Sequence, residues 1–261
     1  MHGVAFEVDQ TLPIFDLSHE IPPYDIWIGA LTLKQTAPYW PEGTVFVSVV
    51  DPGVGTERKS VVLKTESGHF FVTPDNGTLT FVAETLGLAA VREIDEASNR
   101  LADSTQSYTF HGRDVYAFTG ARLAAGVITF EEVGSELEGV MQMPYQAPEA
   151  DPATGEVRGT ILNPDIRYGN VWTNIDRDTF ESTGFEAGDE LSVAVSHDGK
   201  IVYEAVMPYA RTFGEVSEGS PLAYFNSLLN LSFALNIGNF ADAHAIGYGP
   251  DWRVAVSAVD E

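Results

Sequence analysis

Part-way along the 261-residue chain the hydrophobic period changes. Up to about residue 145, short β-type runs ("TVFVSVV", "SVVLKT", "HFFVTP") mix with helical stretches ("LTFVAETLG", "DVYAFTGARLAAG"), each helix closed by a glycine. After "MPYQAPEADPATGEVRG", a stretch rich in proline, glycine and acid that reads as a linker, only short strand-like runs remain. These are "RGTILN", "NVWTNI", "ELSVAVS", "KIVYEAVM", "PLAYFNS", "FALNIG" and "WRVAVSAV". The pattern predicts an α/β N-terminal domain with a mostly buried sheet over residues 1–147 and a small all-β, barrel-like C-terminal domain over 156–261.

The stretch "SVVDPGVGTERKSVV" inside the first part resembles a phosphate-binding loop, since an apolar run enters a glycine turn followed by Lys59-Ser60. Counted from Gly53, however, the second required glycine is Arg58. The following "SVVLKTESG" is β-branched and reads as a strand, so no helix N-terminus awaits an anion.

Composition narrows the partners. Lys and Arg number 14 against 38 Asp and Glu, a formal charge of −24, which repels nucleic acid. Plain solubility accounts for such a charge equally well. The absence of cysteine excludes disulfides and thiolate chemistry. The N-terminal "MHGVAFEVDQTLPIF" lacks the pattern of a signal peptide, and no apolar stretch is long enough for a membrane helix. A cytoplasmic protein without nucleic-acid or membrane partners is expected.

Three loops combine polar groups with tight-turn glycines where an α/β domain keeps its ligands: Asp51–Thr56 with Arg58, Thr73–Gly77, and Phe110–Asp114. Each has a plain structural reading. Asn76-Gly77 is a hairpin signal, Asp114 a candidate helix N-cap, His111 a candidate structural histidine, and Asp51–Arg58 a candidate loop-closing ion pair. A metal pair of His111 and Asp114 lacks a second histidine nearby, so no metal is expected.

Taken in order, "SHEIPPYDIWIGA", "DPGVGTERKS", "TPDNGTL", "FHGRDV", "YGNVWTNI" and "YFNSLLNLSFALNIGNFA" resemble the SAM hydroxide adenosyltransferase family. These are adenosine-forming S-adenosylmethionine (SAM) hydrolases related to the SAM-dependent fluorinase and chlorinase. The resemblance implies a catalytic set of Asp51, Arg58 and His111, with SAM, adenosine and methionine as ligands and no cofactor. It implies substrate contacts from Trp27 (aromatic wall near ribose and sulfonium), Asp165 (methionine amino group), Asn170 and Phe213 (adenine), and Ser227 and Ile237. It also implies a homotrimer with active sites at subunit interfaces. Halogenase patterns carry aromatic residues at the positions of Asp51 and His111, a serine at Gly112 and an arginine at Leu228, so hydrolysis is expected over halogenation. Family members begin with a strand and a "TDFG"-like loop whose aspartate holds the ribose. Here the chain begins at "MHGV", inside the first helix, which predicts a gap in the sheet and leaves a non-catalytic SAM or adenosine binder as a second reading.

Overall fold

The computed structural model describes residues 1–165 and 167–259. The chain divides into two compact units, Met1–Met143 and Pro144–Glu261.

The first unit opens with helix α1 (His2–Val8), an irregular segment, and helix α2 (Ile26–Thr36). Asp25 caps α2 by accepting the Ile28 amide at 2.9 Å. Strands β1 (Val45–Val47), β2 (Ser60–Lys64), β3 (Phe70–Pro74), helix α3 (Thr80–Leu86), β4 (Ala90–Glu93), helix α4 (Phe118–Ala124) and β5 (Glu136–Leu137) follow. The sheet runs β1-β3-β2-β4-β5. Only β1 and β3 are parallel; the remaining pairs are antiparallel. Central β2 reads as a continuous apolar run because both its faces are covered. Val61 and Leu63 pack with Leu33, Phe71, Leu79 and Val82 on the α2–α3 side. Val62 packs with Val115, Tyr116, Ile128 and Phe130 on the other. Among the described residues β1 pairs on one side only, with β3.

The expected helix "DVYAFTGARLAAG" begins differently. Residues Gly112–Ala117 form a π turn, and α-helical geometry starts at Phe118. Asp114 is therefore not an N-cap: it lies inside the π turn, fully buried, with Arg113 Nε donating to its Oδ1 at 2.6 Å. Nor do Asn76 and Gly77 make a hairpin, since α3 follows the turn.

The second unit contains β6 (Glu149–Ala150), β7 (Val157–Pro164), β8 (Val171–Asp176), helix α5 (Arg177–Glu181), β9 (Glu190–His197), β10 (Lys200–Pro208), β11 (Pro221–Phe225), β12 (Asn230–Leu235), helix α6 (Phe240–His244) and β13 (Trp252–Ala258). Its antiparallel path is β10-β9-β13-β7-β8-β12-β11, with β6 on β7. The end strands approach at an isolated bridge, Tyr209 to Ala223, so the sheet nearly closes into a barrel. Alternate residues (Val193 and Val195 on β9, Val254 and Val256 on β13, Ile161 on β7, Phe233 on β12) fill the interior around Phe180 and Phe240. Part of the proline-rich stretch that reads as a linker is tied down here. β6 pairs with β7, and the Gln146 carbonyl accepts from Thr160 Oγ1 at 2.9 Å and Asn174 Nδ2 at 2.7 Å. Its carbonyls find fixed donors, which composition alone does not reveal.

Candidate active site

The three glycine-bearing loops of the first unit meet beyond the ends of β1, β2 and β3. After β1 the chain turns through Asp51–Thr56, with the Val54 amide on the Asp51 carbonyl and the Thr56 amide on the Gly53 carbonyl. It then enters β2 without a helix, so no phosphate cradle forms. Asn76 braces this loop by donating from Nδ2 to the Val50 carbonyl at 2.8 Å, and the Asp75 amide reaches the Lys59 carbonyl at 2.9 Å. The Phe110–Asp114 loop brings His111 to the same place.

Arg58 organises the cluster. Its Nε donates to Asp51 Oδ1 at 2.8 Å and its Nη2 to Asp51 Oδ2 at 2.5 Å, a bidentate fork. Nη2 also donates to His111 Nδ1 at 3.1 Å. Nη1 donates to Ser60 Oγ at 2.9 Å and to the Lys59 carbonyl at 3.5 Å. A guanidinium has five N–H donors, so all are engaged within the protein. The Asp51 and Arg58 side chains are 5% and 9% exposed and His111 is 4% exposed. Removing either charge of such a buried pair leaves the other uncompensated, at about 3–5 kcal/mol.

Arginine only donates, so Nδ1 of His111 must accept, and the neutral ring carries its proton on Nε2. That buried Nε2 has no partner among the described residues. Burial pushes the His111 pKa down; Glu96, whose Oε1 lies 3.9 Å from Nδ1, works against this, and Arg58 and Arg100 work with it. The cluster thus holds a carboxylate with lone pairs to spare beside a neutral imidazole with one free N–H. A groove of about 1370 Å³ runs along the unpaired side of β1, and Asp51 and Phe110 are in its wall.

The second unit has a cleft of about 700 Å³ lined by Tyr168, Asn170, Phe213, Tyr224, Asn236 and Ile237, among others. Phe213 packs against Tyr224 with ring centroids 4.9 Å apart. Burial pushes the Tyr224 hydroxyl up to about 12, with Trp172 and Asn170 pulling it down and the Asp165 charge adding to the rise. Gly169 of "YGN" is required by space: a Cβ there would lie 1.8 Å from Asn239 Oδ1, which caps α6. Ile237 sits on the rim at φ +55°, 78% exposed. A β-branched side chain held in left-handed backbone and left in solvent is strained and unburied, the pattern of a contact residue.

The signature of the SAM hydroxide adenosyltransferase N-terminal domain matches residues 1–134, and that of the C-terminal domain matches residues 159–253. The chain belongs to the SAM hydroxide adenosyltransferase family. Within it, the (R)-S-adenosyl-L-methionine hydrolase of Methanocaldococcus jannaschii is 35% identical over 229 residues, covering 88% of this chain and 76% of that one. The hydrolase of the same name from Salinispora tropica is 35% identical over 262 residues, 98% and 91% of the two chains. A fluorinase from Actinopolyspora mzabensis is 28% identical over 279 residues, covering 98% and 91%. An uncharacterized conserved protein from Thermotoga maritima has the same fold, with a TM-score of 0.86 at 32% identity over 98% of this chain and 93% of that one.

Of the positions that the family resemblance singles out, the structure gathers Asp51, Arg58 and His111 in one cluster, and Asn170, Phe213 and Ile237 around one cleft. Others lie differently. Trp27 is only 5% exposed and packs edge-on against Phe81 at 4.9 Å, inside the α2–α3 layer. Asp165 uses its Oδ1 to accept the Arg167 and Tyr168 amides at 2.9 and 3.4 Å, holding its own turn. Ser227 is exposed in the β11–β12 turn and is not among the residues lining the cleft. Tyr224, Tyr168 and Asn236 were not singled out by the sequence. Tyr224 hides in a strand run, though "YGN" with its obligatory glycine already marked the neighbourhood of Tyr168.

Proposed function

We propose that this protein hydrolyses S-adenosyl-L-methionine to adenosine and L-methionine by attack of water at C5′ of the ribose. The observation that carries the reading is the buried Asp51–Arg58–His111 cluster, set in a chain whose relatives include two named (R)-S-adenosyl-L-methionine hydrolases at 35% identity. Water supplies the oxygen that bonds to C5′ as the C5′–S bond breaks. The bonding pair goes to sulfur, and methionine leaves as a neutral thioether. A cationic sulfonium that becomes neutral needs no acid at sulfur, so the chemistry calls for neither a metal nor an organic cofactor. What it needs is a held, poorly solvated water opposite the bond that breaks.

Asp51 accepts the proton that this water loses. Each of its oxygens keeps a lone pair after accepting from Arg58. His111 orients the oxygen by donating from Nε2, because Nδ1 is taken by Arg58. Arg58 spends all its donors on the protein and therefore acts as a frame rather than a substrate ligand. A halide in the place of water would face the Asp51 carboxylate, which disfavours it. Asn170, Phe213, Tyr224 and Ile237 of the second unit supply an aromatic and polar cleft suited to adenine. The reading includes a cytoplasmic homotrimer whose sites are shared between subunits, tested by light scattering on the active protein; a fully active monomer would remove it.

The direct test is incubation with SAM followed by chromatography. Adenosine and methionine in equal amounts are expected. Chloride-dependent formation of 5′-chloro-5′-deoxyadenosine, or tight SAM binding without turnover, would replace this reading with a halogenase or a binding protein.

A further inference from the structure

Behind the cluster lies a second layer that also reaches Arg58. Ser60, the first residue of β2, is 4% exposed, and its Oγ accepts from Arg58 Nη1 at 2.9 Å. The same Oγ lies 3.2 Å from the hydroxyl of Tyr116, which is fully buried. Arg58 Cζ stands 5.6 Å from the centre of the Tyr116 ring, a cation–π distance. The Tyr116 ring is in turn 6.5 Å from the His111 ring at 71°. A phenylalanine would fill the same space in the Val62–Val115–Phe130 core, so packing does not call for the hydroxyl. A hydroxyl with no water contact is costly unless it is bonded, and the bond it makes leads to Arg58.

The backbone explains how Tyr116 and His111 reach one guanidinium. They are five positions apart, which in an α-helix places them about 140° from each other around the axis. The π turn over Gly112–Ala117 bonds i to i+5 and stacks such residues instead.

We propose that Ser60 and Tyr116 are positioning residues of the hydrolytic site. They hold the Nη1 edge of Arg58, so that its Nη2 edge meets Asp51 and His111 Nδ1 together. This rests on the reading of Asp51 and His111 as the groups that handle the attacking water. Without the hold on Nη1 the guanidinium swings, Nδ1 loses its donor, and His111 gains a proton more readily. The groups that face His111 are Arg58 and Asp51 from the loop, Glu96 and Arg100 from the segment after β4, Tyr108 from the loop before it, and Tyr116. Glu96 is the acid placed to receive the charged ring.

The test uses Tyr116→Phe and Ser60→Ala in the full chain, with kcat, KM and the pH profile measured on SAM. His111 is followed in parallel by imidazole ¹⁵N shifts. In each variant kcat should fall about tenfold with KM within about twofold, and the acid limb should move to higher pH. The ¹⁵N titration should show an unprotonated Nδ1 in the wild type and a rise of His111 by about half a unit in the variants. Unchanged kcat and limb in either folded variant, or a protonated Nδ1 in the wild type, would overturn the proposal. If circular dichroism shows one variant unfolded, the other and the wild-type tautomer decide. If the wild type makes no adenosine, the hydrolytic reading fails by itself, while the ¹⁵N titration still decides whether Ser60 and Tyr116 hold Arg58.

Discussion

The cluster around Arg58 and the cleft beside Tyr224 solve opposite problems. In the first unit every donor of the guanidinium is used, the key side chains are at most 9% exposed, and the geometry is complete before any ligand arrives. In the second unit the cleft wall includes Ile237 at 78% and Tyr168 at 66% exposure, apolar surface left uncovered. A group that handles a proton must be held to within a fraction of an ångström, and a network of charge-assisted bonds does that. A surface that recognises a flat aromatic ring needs only faces and edges in place, and gains most by leaving its own apolar groups to be covered on binding.

Substitutions should separate the two accordingly. The largest effect is expected from Asp51→Asn, which keeps the side-chain volume, removes the proton acceptor and leaves Arg58 without its counter-charge. Turnover should drop about 10³-fold, within the range for loss of a general base, while SAM affinity measured by calorimetry stays within a few-fold. A variant with full activity would break the comparison at its first side. Trp27→Ala should act through the fold, not through the substrate, lowering stability in urea titration by ~3 kcal/mol as the α2–α3 layer loses its largest filler. A pure KM effect with unchanged stability would instead make Trp27 part of the ligand wall. Phe213→Ala, on the open side, should raise KM about tenfold and leave kcat nearly unchanged, as expected where binding is shared equally by ground and transition states.

Two smaller effects sharpen the contrast between a buried histidine and an acidic surface. His111 is buried neutral with its pKa below the ordinary value, so its contribution to stability is present above about pH 6.5 and is lost as pH falls through the lowered folded value. Thermal melts of the wild type against His111→Asn should diverge at high pH and converge on acidification. Adding salt should raise the melting temperature modestly, because screening relieves self-repulsion in a chain of net charge −24. A fall with salt would mean that surface ion pairs outweigh that repulsion.

The strands were legible because burial on one or two faces writes period 2 or a continuous apolar run directly into the sequence, as in β2 and β9. The π turn was not, since "HGRDVYA" has no proline or extra glycine to mark it, and the contacts that go with it are long-range: His111 accepts from Arg58, and Tyr116 reaches the same arginine through Ser60. Helix α2 was missed for a similar reason: with Trp27, Gly29, Ala30, Leu31 and Leu33 all buried, its apolar residues form a patch rather than a stripe. Loop motifs located Asp51, Arg58 and His111 but could not tell that Arg58 faces inward on every donor. Nor does the sequence tell that Ser227 stands exposed in a turn where Asn226 accepts from the Leu228 and Asn230 amides.

The π turn also sets how this region tolerates changes of chain length. A π segment amounts to one residue more than the helix that continues it needs. Losing one residue between His111 and Tyr116 would therefore let α-helical bonding run unbroken into α4, with every backbone group satisfied and the core residues after Tyr116 kept in register. The shortened protein would fold well. Its histidine would then stand four positions from the tyrosine, about 40° apart around the helix axis, so the two rings would still share one face. A single-codon deletion there is thus a change that helix and site should both tolerate, whereas straightening the same six residues at full length would turn His111 about 140° away from Tyr116.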